Sequence, residues 1–137
     1  MSHIELRNPI SIGVDVPLSQ VARVGELLFL AGQCSLDETG QIIGEGDVAV
    51  QTREAIDHLR VVLADFGGSL NDVAAVTVYL RDVKADYAAF NQAYADSFAG
   101  HRPPRTTVQA LLALDDLLVE ISAIAVVASR LTEEVTS

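Results

Sequence analysis

Cysteine, basic residues and aromatic residues are all scarce in this sequence of 137 residues. The single cysteine, Cys34, excludes an internal disulfide and a zinc site built from several thiolates. The chain has nine Lys and Arg residues and nineteen Asp and Glu residues, which gives a net charge of −10. Because each phosphate contact needs a cation, we expect no nucleic-acid partner, although a local basic pocket is compatible with this total.

The sequence also has no long apolar run. The longest, residues 123–128, is far shorter than the roughly 20 residues that span a bilayer, and the first seven residues contain no apolar signal-peptide core. We therefore expect a cytoplasmic protein without a membrane partner. Hydrophobic residues still make up 50% of the chain, so residues 1–137 are expected to form a single domain with its own core. The polar end, about 130–137, is expected to be a flexible tail.

Two segments have the apolar spacing of amphipathic helices. Asp47 can cap the first helix, and Gly67 with Gly68 can end it. A second helix is predicted over residues 86–98, followed by Gly100, and an aromatic stripe along it is expected to anchor the core. The residues of that stripe are Tyr87, Phe90, Tyr94 and Phe98.

The remaining segments have the composition of β-strands. Strands are predicted at 21–24, 27–31, near Ile42, 73–80, 106–112 and 119–128. The resulting order, βββ-α-β-α-ββ, predicts an α+β fold in which two helices cover one face of a mixed sheet. The last strand is apolar on both sides, so the other face of the sheet also needs a cover. A second subunit is the simplest cover, which predicts a homo-oligomer.

Arg105 and Glu120 are the residues best suited to chemistry. Glu120 lies in an apolar strand, where a carboxylate is costly to bury unless it is paired. Arg105 follows two prolines and can bind a substrate carboxylate through two parallel hydrogen bonds, while a carboxylate can position an attacking water. The pair therefore suggests a small anionic substrate attacked by water; the alternatives are a buried ion pair, or a Glu120 that faces solvent at a sheet edge.

The spacing of these two residues constrains how they could act together. In a simple hairpin of the last two strands, they would lie roughly 20 Å apart. Joint action therefore requires that the last strand does not fold back on its predecessor, or that the site spans two chains.

Five segments, collinear over about residues 17–128, resemble the signatures of the RidA family, also called YjgF/YER057c/UK114. Two of them contain the residues just discussed: Arg-Pro-Pro-Arg-Thr-Thr-Val at 102–108 and Val-Glu-Ile-Ser-Ala-Ile-Ala at 119–125. The other three are Pro-Leu-Ser-Gln at 17–20, Leu-Ala-Gly-Gln at 30–33 and the helical segment 87–94.

The resemblance implies a chorismate-mutase-like fold with the last strand in the centre of the sheet. It implies a homotrimer with clefts between subunits, and hydrolysis of reactive enamines and imines to 2-keto acids and ammonia. Arg105 matches the family arginine that binds the substrate carboxylate, and Glu120 matches the glutamate that helps to place the water. The ligand would be a small imino or keto acid, and neither a metal nor an organic cofactor is implied.

The sequence departs from the family pattern at three positions. Leu18 replaces a tyrosine, Ala31 replaces a serine, and Thr107 stands where cysteine is frequent. The pocket is therefore expected to be less polar on one wall, with Thr107 able to contact the substrate. Further residues expected to line or support the cleft are Phe90, Asn91 and Gln33.

These departures leave other functions open. A trimeric keto-acid binding or regulatory module without turnover is the main alternative, and deamination of a ring-cleavage product such as 2-aminomuconate is a lesser one. RNA cleavage, attributed to some relatives, ranks lowest because of the negative charge. Cys34 is interpreted as a small, partly buried residue, and the three histidines lack metal-ligand spacing.

Overall fold

A computed structural model describes residues 3–13 and 15–128 of the chain. The predicted tail at about 130–137 lies outside these residues. The described part contains two α-helices and six strands. In chain order they are β1 (Glu5–Arg7), β2 (Val21–Val24), β3 (Leu27–Gln33), α1 (Val48–Ala64), β4 (Val73–Leu80), α2 (Val83–Phe98), β5 (Arg105–Gln109) and β6 (Val119–Val126), with a short 3-10 helix at Leu70–Asp72 before β4.

The six strands form one mixed sheet in the order β1-β2-β3-β6-β4-β5. Strand β6 pairs antiparallel with both β3 and β4, whereas β4 and β5 pair in parallel. A hairpin between the last two strands is therefore absent, because β4 separates them. The central position expected for the last strand is confirmed, and it explains why both sides of that strand are apolar.

Both helices cover the same face of the sheet, as predicted. The Asp47 side chain accepts the backbone N–H of Val50 and caps α1, and the chain leaves that helix through Gly67 at a φ of 77°. Helix α1 packs against β3 and β6, and α2 packs against α1 and β4. Helix α2 begins at Val83, three residues before the predicted start, because Asp82 caps it by accepting the N–H of Ala85.

The prediction of a strand near Ile42 is wrong. Ile42 forms only an isolated bridge with Leu36, and the third strand of the N-terminal half is β1, a short and largely exposed edge strand. Strand β5 ends at Gln109 rather than at 112, because its partner β4 ends at the paired residue Leu80. Beyond that point the chain leaves the sheet, and the side chain of Leu111 is 84% exposed.

The face of the sheet opposite the helices carries an apolar patch. Phe29 lies opposite Ile124, and Leu27 lies opposite Val126, across the β3–β6 pair. Each of these four side chains is between 37% and 45% exposed. Contiguous apolar surface of this kind is typical of an interface. A second subunit on this face stays a prediction.

Candidate functional site

Arg105 is held at the start of β5, on the helix-covered face of the sheet. The parallel register places Arg105 beside Val76, whose side chain is buried beneath the helices. The Nη2 atom of Arg105 donates a hydrogen bond of 2.7 Å to Oδ1 of Asn91 and lies 3.4 Å from the hydroxyl of Tyr87. Asn91 and Tyr87 are four residues apart in α2, so one face of that helix fixes the guanidinium.

The aromatic stripe of α2 also contacts the Arg105 guanidinium. Its central carbon lies 4.8 Å from the ring centroid of Tyr94, 5.1 Å from that of Phe90 and 5.9 Å from that of Tyr87. Cation–π contacts stabilise the charge without neutralising it. Within the described residues, no carboxylate lies within 4 Å of Arg105, and its Nε and Nη1 atoms have no acceptor. This half-buried cation can therefore accept an anionic ligand.

A pocket of about 370 Å³ opens beside Arg105, between α2 and the loop that precedes β5. Among the described residues, no acidic side chain lines it. The Tyr94 hydroxyl at its wall is buried and has no hydrogen-bond partner within the described chain. Burial raises the pKa of Tyr94, and the charge of Arg105 opposes that rise, so this hydroxyl stays protonated at neutral pH. The lining residues are Asn91, Tyr94, Ala95, Gly100, His101, Arg102, Pro103 and Arg105.

Glu120 lies on the opposite face of the sheet, where Cys34 and Gly32 surround its carboxylate. The Cys34 thiol donates a hydrogen bond of 3.2 Å to Oε1 of Glu120. A Cβ atom on Gly32 would lie only 2.6 Å from Cδ of Glu120, so this strand position must be glycine for the carboxylate to lie across it. The Oε2 atom has no hydrogen-bond partner within the described chain.

Burial raises the pKa of the Cys34 thiol far above its ordinary value, and the negative charge of Glu120 raises it further. The thiol is therefore protonated at neutral pH and remains a donor to the carboxylate. A protonated, partly buried thiol is a poor nucleophile. This agrees with the interpretation of Cys34 as a small, partly buried residue.

Arg105 and Glu120 cannot meet within one chain. Val76 pairs with Arg105 on one side and with Ala123 on the other, so Glu120 is displaced by three residues along the strand and by two strand spacings. That offset corresponds to about 14 Å between the two Cα atoms, and the side chains point to opposite faces. Within one chain the alternative of a buried ion pair is therefore wrong, and so is the alternative of an edge position for Glu120, because β6 is central.

The other predicted site residues are only partly brought together. Thr107 shares the face of Arg105 and has a buried hydroxyl that finds no partner in the described part of the chain, and Phe90 is fully buried beneath the guanidinium. Ala31 and Gln33 lie on either side of Gly32 in β3, where the buried Gln33 donates a hydrogen bond to the carbonyl of Ala31 beside a bulge. Leu18 lies in the segment before β2 and is 54% exposed.

Sequence reasoning missed the contacts of Gly32, Cys34, Tyr87 and Tyr94. The stripe of α2 was predicted to be a core anchor, and Phe90 and Tyr94 are indeed buried, yet the same side chains hold Arg105. The available signal was the spacing of Tyr87, Asn91 and Tyr94, which places two phenol side chains and an amide on one helix face. No local signal indicated that Gly32 and Glu120 are neighbours, because they belong to strands far apart in sequence.

Neither a membrane span nor a metal cluster is found in the part of the chain that the structure describes. No helix of residues 3–13 and 15–128 is long and apolar enough to cross a bilayer. No three His, Cys, Asp or Glu side chains of these residues lie together in a way that could hold a metal ion.

Comparisons with known proteins give consistent matches. The family model described as endoribonuclease L-PSP matches residues 10–127. A RutC family protein of Pyrococcus abyssi is 42% identical over 110 residues, which cover 80% of this chain and 85% of the relative. A 3-aminoacrylate deaminase RutC of Acinetobacter baylyi is 38% identical over 109 residues, which cover 80% of this chain and 86% of that protein.

Solved structures show the same fold. The crystal structure of E. coli TdcF with bound serine matches with a TM-score of 0.77 and 30% identity, covering 88% of this chain and 96% of that one. This likeness confirms the chorismate-mutase-like α+β fold, with two helices on one face of a mixed six-stranded sheet.

Proposed function

Because the chain belongs to the endoribonuclease L-PSP family, also called YjgF or RidA, we propose that it is a hydrolytic deaminase. Its substrates would be reactive 2-imino or enamino acids, and its products 2-keto acids and ammonia. A relative named 3-aminoacrylate deaminase and the serine-bound TdcF structure support this class of chemistry. Within the chain, the proposal depends on one observation: the Arg105 guanidinium is half-buried, fixed in place and without a counter-charge among the described residues.

Arg105 binds the substrate carboxylate in this proposal. Its Nε and Nη1 atoms are free to donate, while Asn91 holds Nη2. Charge-assisted hydrogen bonds from a fixed guanidinium are strong and directional, and the rings beneath it exclude water from one side. The bound carboxylate therefore fixes the position of the imine carbon next to it.

Glu120 places and deprotonates the attacking water. The Cys34 thiol donates a hydrogen bond to Oε1, which leaves Oε2 to accept a hydrogen bond from water. As the water oxygen bonds to the imine carbon, the carboxylate takes one proton from the water and passes it to the imine nitrogen. The resulting carbinolamine then loses ammonia, and its hydroxyl oxygen becomes the carbonyl oxygen of the keto acid. No redox step is involved.

The site is proposed to combine two chains of a homotrimer. Arg105 of one chain and Glu120 of its neighbour would face a shared cleft, because a single chain holds them on opposite faces of its sheet. The apolar patch of Phe29, Ile124, Leu27 and Val126 would be covered in such an assembly. Burial of this patch is the driving force that the trimer requires.

Ammonia release from imino acids tests the proposed reaction. An amino-acid oxidase generates the imino acid in place, and semicarbazide traps the fraction that survives. We expect the wild type to accelerate hydrolysis and Arg105→Ala to lower kcat/KM at least about 100-fold, since it removes the charged anchor. Arg53→Ala is the matched control, because Arg53 is exposed on α1 and is not among the residues that line the pocket beside Arg105. Retained activity in Arg105→Ala, or no acceleration by the wild type, contradicts the proposal.

A trimeric keto-acid binding module is the second candidate, favoured by the apolar side chains of Leu18 and Ala31. Titration calorimetry with 2-oxobutyrate separates the two. Binding that depends on Arg105, together with an absence of turnover for every imino acid, supports the binding module. RNA cleavage serves as a third assay, and none is expected from a chain with a net charge of −10.

A further inference from the structure

The pocket beside Arg105 is positively charged within a strongly acidic protein. Arg102, Arg105 and His101 line it, and within residues 3–13 and 15–128 of the same chain no Asp or Glu side chain does so. The chain as a whole carries a net charge of −10. A concave site lined by one sign of charge concentrates ligands of the opposite sign. Arg105 alone is enough for one carboxylate, so the second arginine requires its own explanation.

Arg102 is exposed and makes no ion pair or hydrogen bond within the described chain. The backbone on both sides of it is nevertheless fixed. His101 bonds through Nε2 to the carbonyl of Val73 at 2.8 Å, and two prolines separate Arg102 from Arg105. Proline restricts the backbone, so the loop presents Arg102 to the pocket without being free to swing away.

We propose that this pocket selects imino or enamino dicarboxylic acids. The inference rests on the proposed deaminase function and names its substrate class. Arg105 binds the carboxylate next to the reacting carbon, and Arg102 binds the carboxylate at the far end of the substrate. A volume of about 370 Å³ lies within the range of small-molecule sites. A monocarboxylic substrate would leave Arg102 without a partner.

The test compares two imino acids with the same carbon chain. Oxidation of norvaline gives 2-iminopentanoate, and oxidation of glutamate gives 2-iminoglutarate, which differs by the terminal carboxylate. We expect the wild type to hydrolyse 2-iminoglutarate with at least about tenfold higher kcat/KM, chiefly through a lower KM. Arg102→Gln should abolish that preference. Arg53→Gln removes the same charge from an exposed position on α1 that does not line the pocket, and should leave the preference unchanged.

A binding measurement separates this inference from the proposed reaction. Calorimetry with 2-oxoglutarate and 2-oxopentanoate requires no turnover, and tighter binding of 2-oxoglutarate that Arg102→Gln abolishes supports the inference. A wild type that prefers the monocarboxylic acids, or a preference that survives in Arg102→Gln, overturns it. In this comparison the proposed deaminase function fails if neither imine is hydrolysed, and the calorimetric preference then decides the selectivity of the pocket.

Discussion

Two inactive variants should restore activity when they assemble together. Arg105→Ala removes the arginine from one face of the chain, and Glu120→Gln removes the carboxylate from the other. Each variant alone leaves every shared site incomplete. In a mixed assembly, a site is complete wherever a Glu120→Gln chain supplies Arg105 and its Arg105→Ala neighbour supplies Glu120.

The recovered activity follows from counting the complete sites between neighbouring chains. In a cyclic trimer that contains both variants, one of the three sites has both wild-type residues, whichever variant is in the majority. With random mixing of equal amounts, about one quarter of all sites are complete, and about three sixteenths are complete at a ratio of three to one. The activity should therefore be highest at equal amounts and should fall symmetrically on either side.

The assay needs evidence that mixed assemblies form. The two variants carry different affinity tags, are denatured together, refolded, and purified through both tags in succession. Ammonia release from an imino acid is then compared with that of the wild type and of each variant refolded alone. Doubly tagged assemblies that are no more active than the single variants would refute a site shared between chains.

Two substitutions and two measurements on Cys34 test smaller parts of the site. Gly32→Ala would place a methyl group 2.6 Å from Cδ of Glu120 and should lower kcat at least about tenfold. The circular dichroism spectrum should stay unchanged, and an unaltered kcat would show that the position of the carboxylate does not matter. Asn91→Ala removes the acceptor that holds Arg105 and should raise KM about three- to tenfold, which substrate titration would show or contradict. The raised pKa of Cys34 should make iodoacetamide alkylate the folded protein at pH 8 at least about tenfold more slowly than the denatured protein, and equal rates would disprove this. The folded thiol keeps its proton above pH 9.0, where the unfolded thiol loses it, so this group should lower stability as the pH rises through that value, as urea unfolding at several pH values would reveal.

Local patterns predicted the helices and the strands with strong composition. Asp47 and Gly67 delimit α1 because capping chemistry depends on neighbouring residues only. The strand Val73–Leu80 was predicted without error because it is a continuous β-branched and apolar segment. Strand β1 was not predicted, since Glu5–Arg7 is a short polar edge strand that exists only through its pairing with β2. The error at Ile42 has the same origin, because apolar residues after a turn do not by themselves supply a partner strand.

The sequence allowed the residues of the candidate site to be predicted, but not their positions relative to one another. Arg105 and Glu120 could be selected from charge in an apolar context, and the resemblance supplied their roles. Their placement on opposite faces depends on the register of β4 with both β5 and β6. Such pairings join residues far apart in sequence, which no local periodicity records. For the same reason, Gly32 beneath Glu120 became recognisable only in the folded chain.

The division of the candidate residues between two faces also affects how descendants of such a gene can diverge. After a duplication, one copy could change the arginine face and its pocket while its Glu120 face stayed intact. With a site shared between chains as proposed, coassembled products would carry sites of different selectivity in one particle, each determined by the chain that supplies the arginine. New specificity could arise in this way without loss of the original one.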